Sequence, residues 1–270
     1  MNWVLIADES LRALFIEMVW EDKLLACGTG FYYVCDNSHF LITVWHNLSG
    51  RNSESGEYLS SRSVEPMTVR VHERSLAART ESSIEMHEYR VVDDSGRPLW
   101  LEHPRYGLDM VALPVDFNSV HLYTPWEVED PAMYRNRLWV TEEVAIVGYP
   151  YGLKGGSELP LWVRGTIASE PHIPFRDRPV FLVDSRTRTG QSGSPVLLFY
   201  RPGTQVPRHE PNGYGYRYEP KPVSRLIGVY SGRISIESDL GYVWTVEALN
   251  EICREGVRGS YDPPLKSMTK

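Results

Sequence analysis

Residues 184 to 197 read D-S-R-T-R-T-G-Q-S-G-S-P-V-L, centred on Gly190-Gln191-Ser192-Gly193-Ser194-Pro195. A serine between glycines, followed by a proline and an apolar run, sits where the backbone must bend sharply. Glycine supplies the unusual φ/ψ values that such a bend needs. The bend can lift the Ser192 hydroxyl from the surface and aim nearby N–H groups at one spot. A serine nucleophile with an oxyanion hole requires that arrangement. The same string also fits a plain loop, so the reading depends on what lies upstream.

Upstream, Gly28-Thr29-Gly30-Phe31 is followed by Phe40-Leu41-Ile42-Thr43-Val44-Trp45-His46-Asn47, and later by Gly107-Leu108-Asp109-Met110-Val111-Ala112-Leu113. A histidine closes one apolar strand, an aspartate opens another, and the serine comes last. This is the chain order of the chymotrypsin-like serine peptidases. The sequence resembles that family, most closely its bacterial trypsin-like branch. There G-T-G-F, L-I-T-x-x-H, D-[apolar]-[apolar]-A-L and G-x-S-G-x-P recur in this order. The resemblance spans roughly residues 11 to 250. It implies an all-β fold: two six-stranded antiparallel β-barrels of the chymotrypsin type, with the site in the cleft between them. Periodicity alone gives only a mostly β chain, barrel or sandwich.

Composition bounds the alternatives. The chain has 270 residues, 42% of them hydrophobic, enough for one large domain or two small ones. A net charge of −7 argues against non-specific nucleic-acid binding. No apolar run nears the length of a membrane span. The first ten residues carry Asp8 and Glu9 and no basic region, unlike a secretory signal. Cys27, Cys35 and Cys253 make an odd count, which points to a reducing, cytoplasmic compartment. Cys27 reads as a small apolar packing residue, and a Cys27–Cys35 bridge across one hairpin is the less favoured reading.

In chain order, strands are expected at Leu11 to Val19 (with 11–14 open to a helical turn), Leu24 to Val34 and His39 to Val44, the last two joined by an Asp36-Asn37-Ser38 turn. Residues 49–66 read as a surface loop. Further strands follow at Met67 to Val71, Ser82 to Val92 and Asp109 to Val115, which close a first barrel over residues 1–116. Residues 117–143 are a connector. The second barrel, 144–270, takes strands at 144–150, 161–168, 180–183, 195–200, 224–230 and 241–245, with 201–222 as a long hairpin loop. Val246 to Glu255 is a short C-terminal helix, and 256–270 reads as loosely held.

Peptide hydrolysis needs a nucleophile, a base and a place for negative charge. Ser192 is the nucleophile. Of eight histidines only His46 ends an apolar strand in the L-I-T-x-x-H setting, so it is the base. Asp109 would hold the His46 tautomer. Asp93 and Asp94 sit in a glycine turn and Asp116 lies beyond the apolar run, so they compete poorly. The N–H groups of Gly190 and Ser192 would form the oxyanion hole.

The resemblance refines this picture. Secreted zymogens carry an aspartate directly before the serine, whereas Gln191 stands here, so no N-terminal cleavage is expected for maturation. Ser194 replaces a common glycine and is expected to be tolerated. Alignment on Ser192 puts Arg186 at the base of the specificity pocket. There it would favour acidic side chains, with Arg188 and Arg233 adding charge, or else pair with Asp184 or Glu237 and leave a closed or apolar pocket. Thr187 and Thr189 flank it. Ser231-Gly232-Arg233 would pair with the substrate backbone, and Gly241 would line the far wall.

The implied partners are a protein or peptide substrate and an activating protein that orders the Ser192 loop. Neither C-x-x-C nor H-E-x-x-H occurs, so no metal or other cofactor is expected. An α/β-hydrolase needs its histidine after the serine, and only His209 in a polar loop follows. A catalytically silent peptidase-fold binding module remains the alternative.

Overall fold

The computed structural model describes residues 6–74, 84–116, 119, 121–125, 138–210, 213–235 and 237–266. A short helix, α1 (Asp8–Arg12), leads into β1 (Ala13–Trp20), so Leu11 and Arg12 belong to the helical turn rather than to the strand. Then follow β2 (Lys23–Cys35), β3 (Ser38–Thr43), β4 (Thr68–Arg74), β5 (Ile84–Arg90), β6 (Leu101–Glu102), β7 (Val111–Pro114) and β8 (Leu122–Tyr123). Asp36 and Asn37 both take positive φ in the β2–β3 turn, at 49° and 64°. These are the residue types that tolerate a mirror-image hairpin turn.

Six of these strands run in the order β7-β3-β2-β1-β4-β5. Between β5 and β7 the ring is carried on by the Val92–Pro98 bridge, a 2.9 Å bond from Leu99 N–H to Val91 O, and the β6–β7 pair at Leu101 and Ala112. Alternation along β1 sends Leu14, Ile16 and Met18 inward against Leu41, Val69, Val71 and two buried tryptophans, Trp45 and Trp100.

The second half contains β9 (Glu143–Gly148), β10 (Leu161–Ile167), β11 (Val180–Ser185), β12 (Pro195–Tyr200), the protruding hairpin β13 (Thr204–Glu210) and β14 (Gly213–Glu219), then β15 (Val223–Arg233) and β16 (Leu240–Thr245). Six of them close a barrel in the order β10-β11-β16-β15-β12-β9. The fold is therefore the two-barrel, mostly β architecture that the sequence implied.

A helix of ten residues, Val246–Glu255, ends the second barrel; Thr245 caps it by accepting from Ala248 N–H. Its buried Val246, Leu249 and Ile252 pack with Phe31 and Tyr33 of β2 and with Val147 of β9, so one apolar cluster seals both barrels together. Tyr33 donates to Asn250 Oδ1 in this seam at 2.5 Å.

The expectation of a loose tail needs correction. Val257–Arg258 pairs with Leu101–Glu102 of the first barrel, Gly259 N–H bonds Trp100 O, and Trp45 Nε1 donates to Ser260 O. Leu265 is 3% exposed. Backbone pairing fastens 257–260, and beyond it Tyr261 packs edge-on against Trp100 and Leu265 joins the apolar cluster between the barrels. Most of the 117–143 connector lies outside the described residues. No helix among the described residues is long and apolar enough to cross a membrane.

Candidate active site

His46 does not close a strand. It stands in α2 (Trp45–Ser49), a single turn after β3 that ends at Gly50 with φ 67°. Asp109 lies two residues before β7, antiparallel neighbour of β3, so the pairing of Thr43 with Val111 brings the two side chains together. Asp109 Oδ2 accepts from His46 Nδ1 at 2.7 Å, and Oδ1 accepts from the His46 backbone N–H at 3.0 Å. Ser231 Oγ donates to the same Oδ2 at 2.6 Å. A bulge between Tyr230 and Gly232 on β15 turns Ser231 toward the carboxylate.

Asp109 is 2% exposed. Burial alone would raise its pKa, but the His46 imidazole and the bonds from His46 and Ser231 more than offset this and hold it below the usual carboxylate range. A carboxyl depressed on folding contributes stability above its unfolded pKa, and loses it as pH falls through the lower folded value. The Asp109 contribution is thus complete above about pH 4. Ser231→Ala removes one donor, so acid unfolding of that variant should begin at higher pH than in the wild type, as read by urea midpoints against pH.

The Ser192 turn is fastened to the first barrel from behind. The Ser192 carbonyl accepts from Thr29 N–H at 3.1 Å and from Asn47 Nδ2 at 3.2 Å. Thr29 Oγ1 donates to Gly190 O at 2.8 Å and accepts from Tyr149 N–H at 3.1 Å. Thr43 Oγ1 donates to Thr29 O at 2.8 Å and accepts from Asn47 Nδ2 at 2.9 Å. This polar seam of Thr29, Thr43 and Asn47 was missed in the sequence as a functional element, although all three sit inside the two quoted motifs. Thr29→Val would strand the buried Gly190 O and Tyr149 N–H. At about 1–3 kcal/mol for each unpaired group, a clearly lower denaturation midpoint is expected.

The turn also holds its N–H groups in place. Thr189 O accepts from Tyr151 N–H at 2.6 Å. In a trans peptide the N–H points opposite to the C=O, so the Gly190 N–H faces away from that contact. Among the described residues neither the Gly190 N–H nor the Ser192 N–H has a hydrogen-bond partner. Gly190 takes φ 95°, and a Cβ there would overlap Tyr149 O. Gln191 is fully buried and its Oε1 accepts from Arg188 N–H at 2.9 Å, an uncharged brace inside the turn. Ser194 is fully buried too, in the space left by Gly148, where a Cβ would overlap Ser194 Oγ. Ser192 Oγ makes no hydrogen bond among the described residues; such contacts often tighten only around substrate.

Arg186 is placed differently from expectation. Burial alternates along the extended segment: Asp184 exposed, Ser185 buried, Arg186 exposed, Thr187 buried. Counting back from Ser192 put Arg186 at the pocket base, but the period of two turns it outward, and Thr187 faces inward instead. Asp184 and Glu237 are likewise exposed. Thr187 Oγ1 is hydrogen-bonded to the Tyr230 hydroxyl. Arg188 is half-buried, its guanidinium donating to Thr187 O at 2.7 Å and lying 3.8 Å from Asp239. Thr189 is exposed, Gly232 and Arg233 are half-buried, and Gly241 is buried. The three cysteines are free thiols.

The family model of the trypsin-like peptidase domain matches residues 28–200, from the first quoted motif to the end of β12. The chain belongs to the trypsin-like peptidase family. Solved structures resemble this trypsin-like chain at low identity. The serine endoprotease of Yersinia pestis matches with TM-score 0.50 and 11% identity over 94% of this chain and 67% of the other. The active form of the Rv3671c protease from M. tuberculosis matches with TM-score 0.47 and 15% identity, over 93% and 83%. At 11% identity the Yersinia pestis likeness speaks for the fold alone. No curated protein matches the chain in sequence.

Proposed function

We propose that this trypsin-like chain is a serine endopeptidase working through His46, Asp109 and Ser192. The observation that carries this reading is the pairing of two features held together where Asn47, next to His46, bonds Ser192 O. His46 is gripped by a buried carboxylate on its Nδ1 side, and two unpartnered N–H groups flank the serine. The grip fixes the tautomer that leaves Nε2 free to accept a proton.

In the forward step Ser192 Oγ forms a bond to the substrate carbonyl carbon while its proton passes to His46 Nε2. The carbonyl electrons move to oxygen, where the Gly190 and Ser192 N–H groups receive the negative charge. Collapse breaks the C–N bond, the amine leaves with the proton from Nε2, and an ester to Ser192 remains. Water repeats the sequence to release the acid. Asp109 stays ionised throughout and stabilises the imidazolium, consistent with its depressed pKa.

Gln191 supports maturation without a new N-terminus, since it already braces the turn through Arg188 N–H. The half-buried edge at Gly232 and Arg233 suits pairing with an extended protein substrate. Free thiols fit a reducing, cytoplasmic setting.

Reaction with a fluorophosphonate tests the reading. Wild-type protein should be labelled, and Ser192→Ala and His46→Ala should not. A folded wild type that resists the probe, alone and with cell lysate added to supply an activator, would mean a binding module on a peptidase fold.

A further inference from the structure

Tyr230 lies directly behind the Ser192 turn: Gly193 N–H donates to Tyr230 O at 2.8 Å, and Tyr230 N–H donates to Ser194 O at 2.9 Å. Its side chain is 2% exposed and enters the mouth of the second barrel among Phe181, Val183 and Val243. The hydroxyl reaches Thr187 on one wall. On the other wall the ring covers Gly241, where an added Cβ would stand 2.5 Å from Tyr230 Cε2. The phenol therefore spans the gap between segment 185–189 and β16.

On the peptidase reading above, a substrate carbonyl sits over Ser192 with its oxygen toward the Gly190 and Ser192 N–H groups. Its backbone runs along the edge at Ser231 to Arg233. The side chain of that same residue must then point between Thr187–Gly190 and Ser231–Gly232, toward the space that the phenol fills. We propose that Tyr230 plugs this pocket, so the peptidase cleaves after small residues (glycine, alanine or serine) and rejects long apolar, basic and acidic ones. Tyr230 is in this sense a specificity-determining residue, and Thr187 and Gly241 hold it in place. Its bond to Thr187 and its contact with Gly241 make the plug a packed part of the barrel.

The test uses the full chain and peptides that differ only in the residue before the scissile bond: Ala, Val, Leu, Phe, Arg and Glu. Wild type should favour Ala over Leu, Phe, Arg and Glu by about 100-fold or more in kcat/KM, the scale on which a closed pocket discriminates. Tyr230→Val should raise the ratio of kcat/KM for Leu to that for Ala by about tenfold or more. Equal cleavage after Ala and after Leu, Phe, Arg or Glu by wild type, or a flat response to Tyr230→Val, would overturn the proposal.

A second arm needs no turnover. Folded Tyr230→Gly should bind p-cresol saturably by calorimetry and wild type should not; absence of binding to the variant overturns the plug. The two readings fail differently. Loss of the peptidase reading appears as no fluorophosphonate on Ser192, and loss of the plug appears as a labelled enzyme without a size preference or as a variant that ignores p-cresol.

Discussion

His46→Ala should lower kcat by about 10⁶ while the protein remains folded, because removing one member of a cooperating nucleophile and base removes the action of both. The imidazole side chain is only 20% exposed but makes a single strong tie, the 2.7 Å contact with Asp109. Its loss leaves the Asp109 carboxylate with Ser231 Oγ and the backbone N–H of residue 46 as donors. The buried charge thus keeps two of its three hydrogen bonds, and the fold should tolerate the change. Rates measured with a good peptide substrate, beside a circular-dichroism melt, check both halves. An intact melt with a rate within tenfold of wild type would remove His46 from the mechanism.

Gly193→Ala should be the most damaging change that leaves every reacting side chain in place. Gly193 takes φ 88°, and a Cβ there would overlap Thr29 O and Thr43 Oγ1. Positive φ alone disfavours alanine by about 1–2 kcal/mol. The overlap falls on buried backbone that cannot swing aside. Thr29 and the turn must move apart, which breaks the bonds from Thr29 N–H and Asn47 Nδ2 to Ser192 O and from Gly193 N–H to Tyr230 O. Together these effects amount to about 3–5 kcal/mol, a fall of roughly 10 °C in melting temperature. Surviving folded protein should also be slow, since the Ser192 N–H moves with the turn and one misplaced oxyanion donor lowers rate by about 10²–10³. Scanning calorimetry and single-turnover rates separate the two losses.

The fold and the three candidate reacting residues were legible because each lies in a short motif with a local backbone demand. Gly190 and Gly193 take positive φ, the apolar strand before His46 is β3, and Asp109 precedes β7. Continuous apolar runs closed by turn residues, such as Pro195–Tyr200, fell on the same bounds in sequence and structure. Legibility failed where direction or distant pairing decides. Arg186 and Thr187 are adjacent in an extended chain, so a count of residues cannot say which faces inward; the alternating burial along 184–187 does. Tyr230 directly precedes the Ser231-Gly232-Arg233 edge, but a bulge one residue later sets where its ring and the Ser231 hydroxyl point. The tail at 257–266 showed no apolar period because backbone bonds to β6, Trp100 and Ser53 hold it.

The mechanism requires a covalent ester on Ser192. Mixing the protein with a peptide ester whose residue before the ester is alanine, quenching in acid within the first turnover, and mapping the adduct by mass spectrometry tests it directly. The expected result is a mass gain equal to the acyl group, carried only by the peptide that contains Ser192 and absent from Ser192→Ala. Product formed with no adduct on that peptide, or an adduct that persists in Ser192→Ala, would contradict it.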